Sequence, residues 1–513
     1  MMSGQPPRGC FRLKSGIRLI ETPEGGIVLQ SSPLRALKIN RSAWAMLDQC
    51  RSGLQLDGDQ MGAGRPSAMA LLDAFHQGGL LEWTPPPTSS PPSVSIIIPV
   101  FNRPAEIEAC LASLQVLDYP AEKIEVIVVD DASWDHTAAV VRRFDVRLIV
   151  QPHNQGQSAA RNAGVAAADG EIIAFLDSDC TAQPDWLRSL TPYFQDPRVA
   201  LVGGYVDTCY REKAMDRYEQ VCSALNMGRE PVMGRGDRSV FYVPTCNMLV
   251  RRQAYLQVGG LDERLQVGED VDLCWRLMAA KHHLLYRPEG AVRHKHRNRL
   301  LPGLLRRFDY GTSEAVLYAR FPKVSKQFPW QPAGIGLLIA GLAALVSPSW
   351  YWLLLMAGLL AVETGCKQIQ LKRKMGLRLP SLEILTAAIK GHFQLAYYLA
   401  FYLVRYHLLL LIVLSCALPA LIWFWLALIM FPTLVAYFKK RPRLSFPVFA
   451  FFYLAEHAFY QSGAFWGCLK QMSFRLYGIG FRLAGFKPRP NRADEDSRLV
   501  VKKTRDEAAI GSP

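Results

Sequence analysis

Residues Glu171 to Cys180 read EIIAFLDSDC. Five apolar residues, Ile172 to Leu176, run without a polar break and then meet Asp177 and Asp179, with Ser178 between them. A continuous apolar run of that length suits a strand buried on both faces, as in a parallel sheet clad by helices. Two carboxylates at its tip repel each other unless a cation sits between them. Such an i, i+2 pair can converge on one divalent ion, which can in turn hold a diphosphate. The same residues would also serve in a solvated loop or a helix cap.

Similar runs lie on either side: VSIIIPV at 94–100, IEVIVVDD at 124–131, VRLIV at 146–150 and VALVGGYV at 199–206. Helical patterns separate them, for example Ile107, Cys110, Leu111 and Leu114. Strands alternating with helices predict an α/β unit over 94–300 built on a parallel sheet. In such sheets a ligand sits at the carboxyl ends of the strands, and polar residues collect there. PVFNRPAEI puts Pro99, Phe101 and Asn102 where the first strand must turn into a helix. Asp130 and Asp131 end the second strand, placed to accept from a nucleobase N–H and ribose hydroxyls, or to cap a turn. PHNQGQSAARNAG sets Asn154 and Gly156 before a helix and Arg161 on it, an arrangement suited to phosphate or base contact. In VGEDVDLCWRL, Glu269 and Asp270 precede a helical pattern. A carboxylate there can take a proton from an attacking hydroxyl or simply complement the helix dipole. VRHKHR adds His294 and His296, alternate residues that can face one way and offer a metal or phosphate contact.

Before this unit lies a smaller one, residues 1–84. It has two extended runs about Pro23-Glu24-Gly25-Gly26, a short strand ALKIN, a helix capped by Asn40, and a second helix ended by Gly78-Gly79. A small three-stranded sheet carrying helices predicts a winged-helix-like α+β module. The linker at 85–93 is proline-rich and semi-rigid. After residue 300 the chain becomes apolar. Residues 395–438 are long enough for two membrane spans around Pro419, and the stretch after Pro332 for two short half-spans broken at Pro348 or one tilted span. Arg405 and His407 should face protein or the interface. The 446–469 stretch, with Glu456 and His457, suits an interfacial helix. The membrane-associated region is set at 301–480, with a charged, disordered tail at 481–513.

The formal charge is +15. No basic stripe interleaved with aromatics accompanies it, so nucleic acid is not an expected partner. The excess gathers beside apolar runs, at Lys367 and Lys372–Lys374 and again at Lys439–Arg443, as on the cytoplasmic side of a membrane with anionic lipid. The eleven cysteines form no CxxC pair, which fits a reducing compartment. The start, MMSGQPPRGC, has no apolar signal region. The expected location is the cell inner membrane, with the 94–300 unit in the cytoplasm.

Taken in order, VSIIIPVFN, VIVVDDAS, NQGQSAARNAG, FLDSD and GEDVDLCWRL resemble the family 2 glycosyltransferases of the GT-A fold over 94–300. The resemblance implies a UDP-sugar donor, with Asp131 near the uracil and Asp130 close by. It implies Asp179 on Mg2+ or Mn2+, Asp177 near the ribose or metal, and Asp270 as the base of an inverting transfer. The QxxRW motif of processive members is absent, because Trp275-Arg276 is reversed and too close. A front unit similar to PqqD-like peptide-binding modules, then a GT-A unit, then membrane segments, resembles the mycofactocin-system glycosyltransferases. That likeness implies β-1,4-linked glucose added to a peptide-derived redox cofactor, with the front module taking precursor peptide as an added strand. Other readings are a membrane transferase with a lipid or polysaccharide acceptor, and a non-catalytic scaffold.

Overall fold

The computed structural model describes residues 9–31, 34–56, 65–86, 88, 90–236, 239–347, 349–418 and 422–483. At its centre is an eight-stranded sheet. From one edge the strands are Val232–Gly234, His283–Tyr286, Val199–Gly203, Asn247–Arg251, Ile172–Leu176, Val94–Val100, Ile124–Asp130 and Arg147–Val150. The last four run parallel to one another. Asn247–Arg251 runs antiparallel between Ile172–Leu176 and Val199–Gly203, so the sheet is mixed rather than parallel throughout. The expectation failed because an apolar run reports burial of both faces and says nothing of strand direction.

Both faces are covered. Ile96, Ile98 and Val128 pack with Ile107, Leu111 and Val140 on one side. On the other, Ile97, Ile127 and Phe175 pack with Ala160, Leu273 and Leu277. This second core continues without interruption to Leu317, Tyr318, Tyr402, Tyr406 and Tyr460 from the C-terminal helices. Those helices are Leu300–Arg320, Pro332–Val346, Trp350–Met375, Ser381–Ala417, Ile422–Lys440 and Phe446–Lys470. Trp350–Met375, Ser381–Ala417 and Ile422–Lys440 are long and apolar enough to cross a membrane. The 332–360 stretch therefore folds as two helices, and 395–438 belongs to two more, while Pro348 and Pro419 lie outside the described residues. Helix Phe446–Lys470 leaves Phe451, Phe465 and Trp466 exposed on one side and buries Phe449, Tyr453, His457, Tyr460 and Ala464 against protein on the other. Its polar residues have partners to meet there: Arg405 Nη1 lies 3.3 Å from Glu456 Oε1 and 3.0 Å from His457 Nδ1. Arg405 thus faces protein, as expected.

The N-terminal module holds two three-stranded sheets where one was expected. The hairpin Ile17–Thr22 with Gly25–Ser31 pairs onward to Leu34–Asn40, and Asn40 Oδ1 caps the next helix by accepting from Ala43 N at 2.9 Å. The second sheet brings Gly9–Leu13 between Leu54–Leu56 and Leu81–Thr84, a pairing of distant segments without a local turn signal. The module is docked: Asp73 pairs with Arg198 at 2.6 Å and Trp83 meets Tyr193 edge-on at 6.0 Å.

Candidate active site

The carboxyl ends of the parallel strands set the first wall. Val94–Val100 delivers Phe101 and Asn102, whose backbone is left-handed at φ 51°. Asn tolerates that conformation better than most residues, and here its amide N donates to Ser133 Oγ at 2.8 Å. Asp131 follows the second strand and is 3% exposed. Its two oxygens accept from Gln155 N and Gly156 N, each at 2.8 Å, so the strand tip pins the loop that enters helix Gln157–Ala166. Asn154 donates to Asp131 O at 3.3 Å.

Arg161 sits beneath, 1% exposed, and donates to Asp177 Oδ1 at 2.5 Å and to Glu269 Oε1 at 3.1 Å. A guanidinium this buried stays charged only with such partners. Burial favours the neutral form of Asp177, but Arg161, His294 and Arg103 outweigh it and hold the carboxyl below its ordinary range. Asp179 pairs with Arg103 and lies 3.5 Å from His294 Nε2. The ligand atoms of Asp179, Cys180 and His294 all fall within 4.8 Å of one another. Cys180 is fully buried and, unlike Asp179 and His294, does not line the cavity. A carboxylate, which suits Mg2+ or Mn2+, and an imidazole remain.

Helix Glu269–Ala279 starts on Gly268, whose φ of 84° is costly for other residues and lets the chain turn sharply into the helix. Glu269 is buried and accepts from Gln157 Nε2 at 2.9 Å. Burial raises its carboxyl, with Arg161 working against the rise. Next to it, burial and the Glu269 charge push the Asp270 carboxyl up to about 7. Its Oδ1 accepts from Val271 N at 2.8 Å.

All of this opens on one cavity of about 880 Å3, toward the upper end for small-molecule sites. Pro99, Phe101, Asn102, Asp131, Arg161, Asp177, Asp179, Glu269, Asp270, His294 and His296 all line it. Three predicted contacts do not. Asp130 is 1% exposed and accepts from Ser133 N, while Asn154 and Gly156 act behind the wall through Asp131. Of the four metal candidates, Asp177 accepts from Arg161 and Asp179 from Arg103, His294 lies beside Asp179, and His296 is bonded to Thr208 Oγ1 at 2.6 Å. The two histidines part company because the strand ends at His294 and the chain leaves its alternation there.

The C-terminal part of the lining was missed. Arg306, Arg307 and Tyr310 on helix Leu300–Arg320 face the cavity, with Tyr242 and Arg405 beyond them. That helix falls on the membrane side of the boundary drawn at residue 300, yet it closes the site. Its signal was present in LLRRFDYG at 304–311, paired arginines with an aromatic one turn on.

The family model for glycosyl transferase family 2 matches residues 95–259. The pre-mycofactocin glycosyltransferase of Mycobacterium tuberculosis is 32% identical over 385 residues, 73% of this chain and 78% of its own length. Glycosyltransferase AglE of Haloferax volcanii is 34% identical over 206 residues, 39% of this chain and 66% of its own. Among solved structures, a mannosyltransferase from Pyrobaculum calidifontis in complex with GDP-Man and Mn2+ has 20% identity and a TM-score of 0.38, covering 60% of this chain and 89% of that one. That last overlap is too loose to bear on the site. The long match is different in kind, since its 385 residues far exceed the 165-residue stretch of the family model (95–259) and take in 73% of this chain. The chain belongs to the mycofactocin-system family 2 glycosyltransferases and is a glycosyltransferase of the GT-A fold acting in mycofactocin biosynthesis.

Proposed function

We propose that the enzyme moves glucose from a UDP-sugar to a peptide-derived acceptor with inversion, building β-1,4-linked units. The observation that carries this reading is the meeting of Asp131, Asp177, Asp179 and Asp270, from separate segments, around one cavity. Asp179 and His294 would hold Mg2+ or Mn2+, which when bound supplies positive charge beside the diphosphate. Asp131, already fixed by Gln155 and Gly156, presents its remaining lone pairs to the nucleobase. Arg161 keeps Asp177 ionised and in place for the ribose or metal. Asp270 takes the proton of the acceptor hydroxyl, whose oxygen attacks the anomeric carbon from the face opposite UDP. A base raised to about 7 is matched to that task near neutrality. Much of the acceleration comes from holding two substrates in line.

The N-terminal module takes precursor peptide along its Ile17–Thr22 edge, which pairs on one side only within its sheet. The catalytic unit is cytoplasmic, on the inner membrane. Supporting this, the basic ends of helices Trp350–Met375 and Ile422–Lys440 lie where those helices meet the soluble part: Leu371 and Leu377 pack with Leu29, and Lys440 donates to Val221 O at 2.5 Å.

A second reading keeps the donor site and exchanges the acceptor for a lipid or polysaccharide. Arg405 favours it, because a helix long enough to span a membrane contributes to the cavity wall. Incubation of full-length enzyme and Mn2+ with a panel of UDP-sugars and each acceptor class, read by mass spectrometry, separates the two. Hexose-unit shifts on the peptide-derived acceptor support the first; shifts only on a lipid support the second.

A further inference from the structure

Most cations in the cavity have anionic partners. Arg161 has Asp177 and Glu269, Arg103 has Asp179, Arg307 has Glu219, and Arg405 has Glu456. Two arginines on the cavity wall differ. Arg306 lies over the ring of Tyr310 at 5.1 Å, and Arg297 makes one long hydrogen bond, 3.4 Å, to Pro302 O. Among the described residues neither has a carboxylate within ion-pair distance. Against the burial of Arg306, Tyr310 and Glu269 favour its charge, so the crowding is felt at Arg297. Partial loss of water, then the Arg306 charge, push Arg297 below its ordinary value, and Arg103 adds to the effect.

Like charges gathered around one cavity repel, and an anion between them removes the cost. Arg103, Arg297 and Arg306 all line the cavity, and Arg103 sits beside Asp179, on the proposed metal side. Arg306 is held for such a role, since its helix packs along Phe446–Lys470 and Tyr310 stacks beneath the guanidinium. A planar guanidinium can grip a phosphate with two parallel N–H donors.

We propose that Arg306, assisted by Arg297, holds the phosphates of the donor nucleoside diphosphate from the part of the cavity lining that helix Leu300–Arg320 supplies. This rests on the donor reading above. In the transfer, the bond from the anomeric carbon to the β-phosphate oxygen breaks and its electron pair leaves on that oxygen. The new bond forms to the acceptor oxygen, and the acceptor proton passes to Asp270. The departing diphosphate therefore gains one negative charge, and Arg306 meets that charge as it develops.

The test uses full-length enzyme in lipid nanodiscs. UDP with Mn2+ and, separately, a long-chain alkyl phosphate are titrated into wild type, Arg306→Gln, Arg306→Lys and Arg297→Gln. Turnover of UDP-glucose is measured on the same samples. Arg306→Gln is expected to lower kcat by about 10²–10³-fold and to weaken UDP binding by about tenfold or more, with part of both restored in Arg306→Lys. Arg297→Gln should show a smaller loss of the same kind. Thermal midpoints identify a variant that fails to fold, and Arg306→Lys then decides by its UDP affinity. If wild type binds UDP and Arg306→Gln binds it equally well, with kcat within twofold, the inference is overturned while the donor reading stands. If only alkyl-phosphate binding depends on Arg306, the site belongs to a phosphate-bearing lipid and the assignment is wrong. Wild type that binds no UDP overturns both.

Discussion

Asp270 is a carboxyl that its surroundings keep protonated to about pH 7, through burial first and the adjacent Glu269 second. A general base works only when ionised, so the sign is fixed: kcat/KM should climb as pH rises through about 7 and level off above it. Asp270→Asn should lower turnover by about 10²–10⁴-fold and remove that limb of the profile; a variant that keeps both would assign the base elsewhere. Asp179 and His294 make a separate prediction. Since they supply the two suitable donors of the candidate metal set, Asp179→Asn or His294→Ala should raise the Mn2+ concentration for half activity by about tenfold or more. His296→Ala, whose ring is bound to Thr208, should leave that concentration unchanged. Titration of activity against Mn2+ in EDTA-stripped enzyme reads all three.

Helices Leu300–Arg320 and Phe446–Lys470 touch backbone to backbone. A methyl group at Gly311 would run into Tyr460 O, and one at Gly463 into Phe308 O. Gly311→Ala or Gly463→Ala should therefore force the pair apart at a cost of about 1–3 kcal/mol, seen as a lower thermal midpoint. Because Arg306 and Tyr310 ride on the first helix, activity should fall with it, and unchanged melting would count against the seam. Half of this contact is written in the sequence, as the G-x-x-x-G face GAFWG at 463–467, but its partner Gly311 lies about 150 residues away and becomes a neighbour only through tertiary packing. Strand tips were legible for a simpler reason. Apolar runs ending in Asp131, Asp177 and Asp179 state burial and chemistry within ten residues each. Asp130 was misplaced because period alone cannot say which of two adjacent carboxylates turns outward. The direction of Asn247–Arg251 and the second sheet of the N-terminal module stayed hidden, as both depend on pairing between remote segments.

Across the whole molecule, three helices are suited to a bilayer, and one of them, Ser381–Ala417, shares a continuous core with the catalytic unit. The enzyme should sediment with membranes, resist extraction by alkaline carbonate and yield to detergent; release by carbonate would argue for peripheral attachment. Removing residues 1–84 should do more than delete a recognition module. It uncovers Tyr193 and breaks the pairing of Asp73 with Arg198, so a drop in thermal stability is expected alongside any loss of acceptor use.

Helix Leu300–Arg320 has one more implication. A fragment ending at residue 300 would retain Asp179 and Asp270 but would be a bowl with one side cut away, open to bulk water. Trimming aimed at a smaller enzyme must keep Leu300–Arg320, and the helix it packs on, Phe446–Lys470, comes after all three bilayer-length helices in the chain.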